Sequence, residues 1–225
     1  MAKSLILNFC LCLGTPLIAH PFASYLDGGI LSVGIDVGGG NAAKELDGSN
    51  LRSHSIQLGF QLQGGYQKYF TPFIGASCYG YLSYRYLYMD KFATSLSNIN
   101  NVNRYSLGLG GNLLVNVYSK IEKSPYRSLK IYAYGFFGGL LGLVNIWTTQ
   151  FSNLGSLQVS NNANIDATFG IHIRVDTFKW SLGIHVPLID QTRVLMSPNN
   201  PGSERLKFIS NYKSSDIFMN FTKIF

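Results

Sequence analysis

The stretch IDATFGIHIRVDTFKWSLGIHV, residues 165–186, decides how the rest of the chain is read. Ile165, Ala167, Phe169, Ile171 and Ile173 alternate with Asp166, Thr168, Gly170, His172 and Arg174. After VDT at 175–177 the alternation resumes, with Phe178, Trp180, Leu182, Ile184 and Val186 set against Lys179, Ser181, Gly183 and His185. A period of two sustained over about ten residues is that of a β-strand with unlike faces. One face is apolar throughout and the other holds charges, amides and glycines, which is the pattern of a strand with lipid on one side and a barrel interior on the other.

The same reading extends to both ends of the chain. Leu31, Val33, Ile35 and Val37 alternate with Ser32, Gly34 and Asp36, and Ile56, Leu58, Phe60 and Leu62 with Gln57, Gly59, Gln61 and Gln63. A helix would place Gln57 and Gln61 together but scatter the apolar residues all round. A third stretch covers about 73–86. In a fourth, Tyr105, Leu107, Leu109, Leu113, Val115 and Val117 oppose Ser106, Gly108, Gly110, Asn112 and Asn116. A fifth, about 129–141, does not phase cleanly. The last sets Ile217, Met219, Phe221 and Phe225 against Asn220 and Thr222. With the pair first quoted, the count is eight.

The connections supply an independent test, because outer-membrane barrels have short periplasmic turns and longer external loops. Residues 39–53, 87–103, 146–162 and 188–213 are long and rich in Asn, Ser and Gly, and are expected outside. The segments 67–72, 118–127 and 175–177 are shorter. In hydrocarbon each unpaired backbone N–H or C=O costs several kcal/mol, so such a sheet must close on itself. The expectation is an all-β fold, a closed antiparallel transmembrane β-barrel of about eight strands of the outer-membrane type. A barrel of that size is filled by side chains. The filling predicted here is a polar plug of Asp36, Gln57, Gln61, Arg85, Asn112, Asn116, Asp166, His172, Arg174, Lys179 and His185, with Arg85, Arg174 or Lys179 paired to Asp166 or Asp36.

Composition agrees. Hydrophobic residues make up 46% of the chain and charged ones 13%, roughly half the share of a soluble domain. The formal net charge of +7 comes from scattered Lys and Arg, which argues against nucleic acid and suits anionic lipid head groups. Lys3, the apolar run LILNFCLCL at 5–13, and then Gly14 and Pro16 read as a secretory signal, residues 1–23, cut near 19 or 23. The mature part, 24–225, is expected to be one barrel domain. Cys10 and Cys12 fall in the removable segment, which leaves Cys78 and no intramolecular disulfide framework.

Four phrases, GYQKYF at 65–70, YAYGFFGGLLG at 132–142, GIHVPLI at 183–189 and the terminal NFTKIF, resemble the Helicobacter outer membrane protein family. Its members include adhesins, porins and small barrels. The resemblance implies a bacterial outer-membrane barrel built from the C-terminal part of the chain. Large adhesin members carry an extended external domain for which this chain has no room, so no receptor-binding residue is carried over. A terminal Phe on an alternating last strand resembles the signal by which the barrel assembly machinery of Gram-negative bacteria takes its clients, making Phe225 the candidate assembly signal. Lys223 departs from that strand's apolar face, and near the membrane edge such a side chain reaches the interface. The partners implied are outer-membrane lipids, the assembly machinery, and a host or environmental ligand at the surface-exposed loops.

Catalytic and cofactor readings are weaker. Gly38, Gly40 and Ala43 loosely match a dinucleotide pattern, but ELDGSNLRS after them cannot form the helix that would hold a pyrophosphate. His172 and His185 lie on neighbouring strands, while His54 and His20 do not share their register, and zinc needs three or four ligands. His172, Ser181 and Asp166 supply the residue types of a lipid-modifying barrel enzyme without any signature that fixes their geometry. Tyr84, Tyr86, Tyr88, Tyr105, Trp147 and Trp180 fall near predicted strand ends and read as an interfacial girdle. A spanning helix over 131–147 is the structural rival. The functional expectation is a structural or surface-exposed barrel with no catalysis, cofactor or metal. A narrow porin-like channel and adhesin-type binding through the loops are the alternatives, ahead of a lipid-modifying enzyme.

Overall fold

Alternation in the sequence becomes a continuous antiparallel ladder in a computed structural model of the chain. It describes residues 22–46, 49–88, 99–123, 129–151, 157–196, 204–210 and 214–225. Of the expected signal segment, residues 1–23, all but the last two lie outside the described residues. A short 3-10 turn, Ala23–Leu26, leads into β1 (Gly28–Leu46), β2 (Ser49–Tyr69), β3 (Ile74–Tyr88), β4 (Ile99–Lys123), β5 (Leu129–Phe151), β6 (Leu157–Val175) and β7 (Phe178–Pro187). Then come β8 (Gln191–Met196), β9 (Glu204–Ser210) and β10 (Asp216–Ile224). Each strand from β1 to β7 pairs with the next, β7 pairs with β10, and β10 pairs with β1. Eight strands therefore close, and β8–β9 form an added hairpin.

The closing seam runs from Ile30↔Ile224 to Gly38↔Asp216, and Phe225 donates its N–H to the Gly29 carbonyl at 2.9 Å. This leaves no free edge in the spanning part, as hydrocarbon demands. Outward residues form the apolar band: Leu31, Val33, Ile35 and Val37 are 48–57% exposed, while Ser32 and Asp36 between them are buried. β10 shows the same strict alternation along its whole length. Lys223 faces outward at the rim, its Nζ 5.1 Å from the Phe225 ring centre.

Strand lengths differ from the sequence expectation for a physical reason. About 9–11 residues cross a membrane, yet β4 has 25 residues and β5 has 23. Alternation reports only where one face meets lipid. Beyond the membrane both faces meet water, so the pattern fades while backbone pairing continues. Residues expected as the external loop 39–53 are thus largely β1 and β2, paired as far as Leu46↔Ser49. The expected loop 188–213 contains β8 and β9, and the expected turn 118–127 contains the end of β4. Above Gly38, β1 exchanges β10 for β9, pairing from Asn41↔Ile209 to Leu46↔Glu204. The connection at 175–177 is a tight turn, with Asp176 at φ 54°, a left-handed conformation that Asp tolerates.

The rival helix is overturned, since 131–147 lies within β5, and among the described residues no helix is long and apolar enough to cross a membrane. β5 resisted phasing because both of its faces are apolar. Ile131, Phe137, Leu141, Leu143 and Trp147 point inward, while Tyr132, Phe136, Leu140, Val144 and Ile146 point outward. A register shift between Asn116 and Tyr118 marks a β-bulge in β4, leaving Val117 and Tyr118 both exposed, with Tyr118 stacked on Tyr134.

Candidate functional site

The lumen gathers the side chains that alternation turns inward, and they sort into layers. Asp36 on β1 and Arg85 on β3 flank the same rung of β2, at Gly59. Arg85 Nε lies 2.8 Å from Asp36 Oδ1, and its Nη1 meets Asp216 Oδ2. Arg104 Nη2 reaches the same Asp216 oxygen at 3.5 Å and sets its guanidinium 5.4 Å from the Trp147 ring centre. Arg85, Asp36 and Asp216 are buried nearly completely. Ions so desolvated persist only when paired.

Below this layer, Gln61 donates to Asn220 Oδ1 at 2.7 Å and accepts from Tyr81 Oη at 2.8 Å. His185 stacks on Phe218 with ring centres 4.2 Å apart and meets Tyr81 edge-on. Lower still, His172 Nε2 lies 2.9 Å from Asn116 Oδ1, and Asn112 Oδ1 accepts from Thr168 at 2.8 Å. Asn116 donates Nδ2 to the Pro72 carbonyl, which fixes its Oδ1 as the acceptor and places the His172 hydrogen on Nε2. Lys179 donates to Gln67 Oε1 at 2.7 Å.

The periplasmic mouth is filled by the 3-10 turn. Ala23 and Leu26 are fully buried in a cluster with Tyr69, Leu114, Ile131, Phe137 and Phe218. The Leu26 carbonyl accepts from Gln67 Nε2 at 2.8 Å and from Arg174 Nη1 at 2.7 Å. Arg174 also donates Nε to the Asp176 carbonyl. Asp27 accepts the Tyr69 N–H at 2.6 Å. Burial lifts its carboxyl above the ordinary value, against the opposing effects of that bond and of Lys68 and Arg174.

All the residues expected in the lumen, Asp36, Gln57, Gln61, Arg85, Asn112, Asn116, Asp166, His172, Arg174, Lys179 and His185, sit on inward-facing positions. Their pairing is narrower than expected. Arg85 takes Asp36, but Asp166 accepts from Asn164 Nδ2 at 2.8 Å instead of from a cation, and Arg174 binds carbonyls. Asp216 was missed because it stands just before the alternation of the last strand begins. The inward aromatics Tyr69, Tyr79, Tyr81 and Phe218 were missed because an aromatic ring reads as lipid-facing. Trp147 corrects the girdle assignment: it is buried, with Nε1 donating to Asn162 Oδ1 at 3.1 Å, whereas Tyr105 and Trp180 are exposed to the lipid side. The Tyr88 side chain lies outside the described residues.

Among the described residues no three His, Cys, Asp or Glu side chains converge on a common point. His172 and Ser181 are register partners, but Asp166 lies higher on β6, opposite Pro187.

A model of the Helicobacter outer membrane protein family matches residues 61–224. The chain belongs to that family. The match spans β2 to β10, so the ion-pair layer from Arg85 to Asp216 falls inside the family region, whereas Asp36 and the 3-10 turn precede it. Among solved structures, the outer membrane protein OprG of Pseudomonas aeruginosa superposes with a TM-score of 0.52 at 12% identity, covering 88% of this chain and 96% of OprG. Neisserial surface protein A gives 0.42 at 11% identity over 87% and 97% of the two chains. The attachment invasion locus protein Ail of Yersinia pestis gives 0.36 at 12% identity over 85% and 98%. At such identity the likeness to OprG concerns the fold. No curated protein matches the sequence. Family and fold together place the chain in the bacterial outer membrane.

Proposed function

We propose that this protein is a closed, non-catalytic barrel whose role is structural and surface-exposed, holding a tall external β-wall above the outer membrane. The observation that carries the reading is double occlusion of the lumen. Arg85 between Asp36 and Asp216 blocks the outer half, and Leu26 with its apolar neighbours blocks the periplasmic mouth. A solute would have to break buried ion pairs, at several kcal/mol, and then expel a packed apolar turn. The outer extensions of β1, β2, β5 and β6 and the β8–β9 hairpin supply the surface that meets a host or environmental ligand. Lipids cover the apolar band, and the assembly machinery reads the last strand with Phe225.

A catalytic reading is disfavoured because His172 and Ser181 face a closed interior and Asp166 is bonded to Asn164, so no acid orients the imidazole. Planar-bilayer recording of the purified protein tests the proposal. The expected result is no stable conductance, and reproducible single-channel steps would defeat it in favour of a narrow pore. Loss of lipid A remodelling on His172→Ala would instead defeat the non-catalytic part.

A further inference from the structure

Between the two occlusions lies a small cavity of about 30 Å³ with a mixed lining, apolar at Ile30, Leu114, Phe137 and Phe218, on a scale where one water needs about 10–15 Å³. Lys179, His172, Ser32, Thr222, Asn112 and Asn220 help to line it, and no carboxylate does. Its composition is therefore biased toward donors. Lys179 has three N–H groups and spends one on Gln67. Ser32 and Thr222 share a single hydrogen bond of 2.6 Å, so one of their two hydroxyl protons remains to be donated. Asn220 accepts from Gln61 through Oδ1, which leaves its Nδ2 to donate, whereas the Asn112 amide is engaged with Thr168 and Tyr79.

Charge points the same way. Lys179 is 7% exposed, and among the described residues no carboxylate is within ion-pair distance of it or of Arg174. The lumen's acids Asp36, Asp166 and Asp216 are all in the outer half, held with Arg85 and Arg104 or with Asn164. An isolated buried ammonium is costly, and a counter-ion removes that cost. One atom of the lining has the opposite need. His172 Nδ1, a bare acceptor because Nε2 carries the hydrogen, has no hydrogen-bond partner although the ring is 2% exposed.

We infer that this chamber binds one small monovalent anion of halide size against Lys179, together with a water that donates one hydrogen to His172 Nδ1 and the other to the anion. The volume is that of about two water-sized particles, so a halide and a single water would fill it. The donors of Lys179, the Ser32–Thr222 pair and the Asn220 amide then acquire an acceptor, and Lys179 gains a counter-charge.

The test is thermal unfolding of the detergent-folded protein, followed by the unboiled gel band, in chloride or bromide against gluconate at constant ionic strength. The expected result is a saturable rise of a few degrees with halide in the wild type and none in Lys179→Gln. An equal midpoint in halide and gluconate, or the same rise in Lys179→Gln, overturns the site. Should Lys179→Gln fail to fold, crystals of the wild type grown in bromide decide. An anomalous peak in contact with Lys179 Nζ supports the site, and its absence overturns it.

Discussion

The side chain on which the lumen most depends is Arg85, because it stands between two buried carboxylates and has no water to fall back on. Arg85→Ala leaves Asp36 without a cation and Asp216 with only Arg104 at 3.5 Å, and the expected loss is about 3–5 kcal/mol in urea unfolding of the detergent-folded barrel. Gly59 tests the same layer by shape. A Cβ there would sit 2.6 Å from Arg85 Cγ and from the Tyr84 carbonyl, and 2.7 Å from Asp36 Oδ1, so Gly59→Ala must push the ion pair apart. Its expected cost is about 1–3 kcal/mol, as for other overpacked sites. Gln57→Asn, on the same inner face but outside the ion pairs, should change stability far less. If Gln57→Asn proved as costly as Arg85→Ala, the ion-pair layer would not be what fixes this part of the wall. On the lipid face the sign of the requirement reverses. Leu182 is 49% exposed on β7, and Leu182→Arg is expected to destabilise by about 2–4 kcal/mol if it lies at mid-membrane. Equal tolerance of charge at Leu182 and at inward Ser181 would contradict the assignment of faces.

At the level of elements, legibility followed solvent contrast. β1, β6, β7 and β10 could be phased from sequence because oil and a polar filling lie on opposite sides of residues such as Ile171 and His172. β5 could not, because Phe137, Leu141 and Leu143 pack inward against an apolar part of the lumen while Phe136 and Leu140 meet lipid. The β8–β9 hairpin shows itself only through its backbone pairing with the outer half of β1. The ion-pair site was legible in its inward residues and in the pairing of Arg85 with Asp36 but not in its second carboxylate, since Asp216 enters only through the β10–β7 register that sets it opposite His185. The 3-10 turn was hidden because the expected signal segment, 1–23, runs into its first residue. Its packing bears on the two candidate cleavage points. Ala23 is fully buried with Leu26, and cutting after Ala23 would remove its methyl group and put a charged amine at Ser24 beside that cluster. Cutting after Ala19 keeps the turn whole. The intact mass of the outer-membrane form is therefore expected to correspond to a chain starting at His20, and a mass starting at Ser24 would show that the turn is dispensable.

For the whole molecule, two barriers in series make a prediction that neither makes alone. The periplasmic turn and the Asp36–Arg85–Asp216 layer occupy different heights of one lumen, with Lys179 and His172 between them. Conductance through barriers in series is set by the tighter one, so removing either should leave the barrel shut. A chain refolded from Asp27 onward keeps the buried ion pairs. A triple variant, Asp36→Ser with Arg85→Ser and Asp216→Ser, keeps the turn and leaves no unpaired carboxylate of that trio behind. Each is expected to be silent in planar bilayers, while their combination should give stable steps, provided the heat-shifted gel band shows that it still folds. The closed wall from Ile30↔Ile224 to Gly38↔Asp216 is independent of both changes in its backbone pairing, which favours folding of the combination. Conductance from the truncated chain alone would mean that the charged layer does not seal. Silence of a folded combination would mean that Tyr79, Tyr81 and Phe137 close the lumen by packing, and the ion pairs would then belong to the wall's stability instead of to its closure.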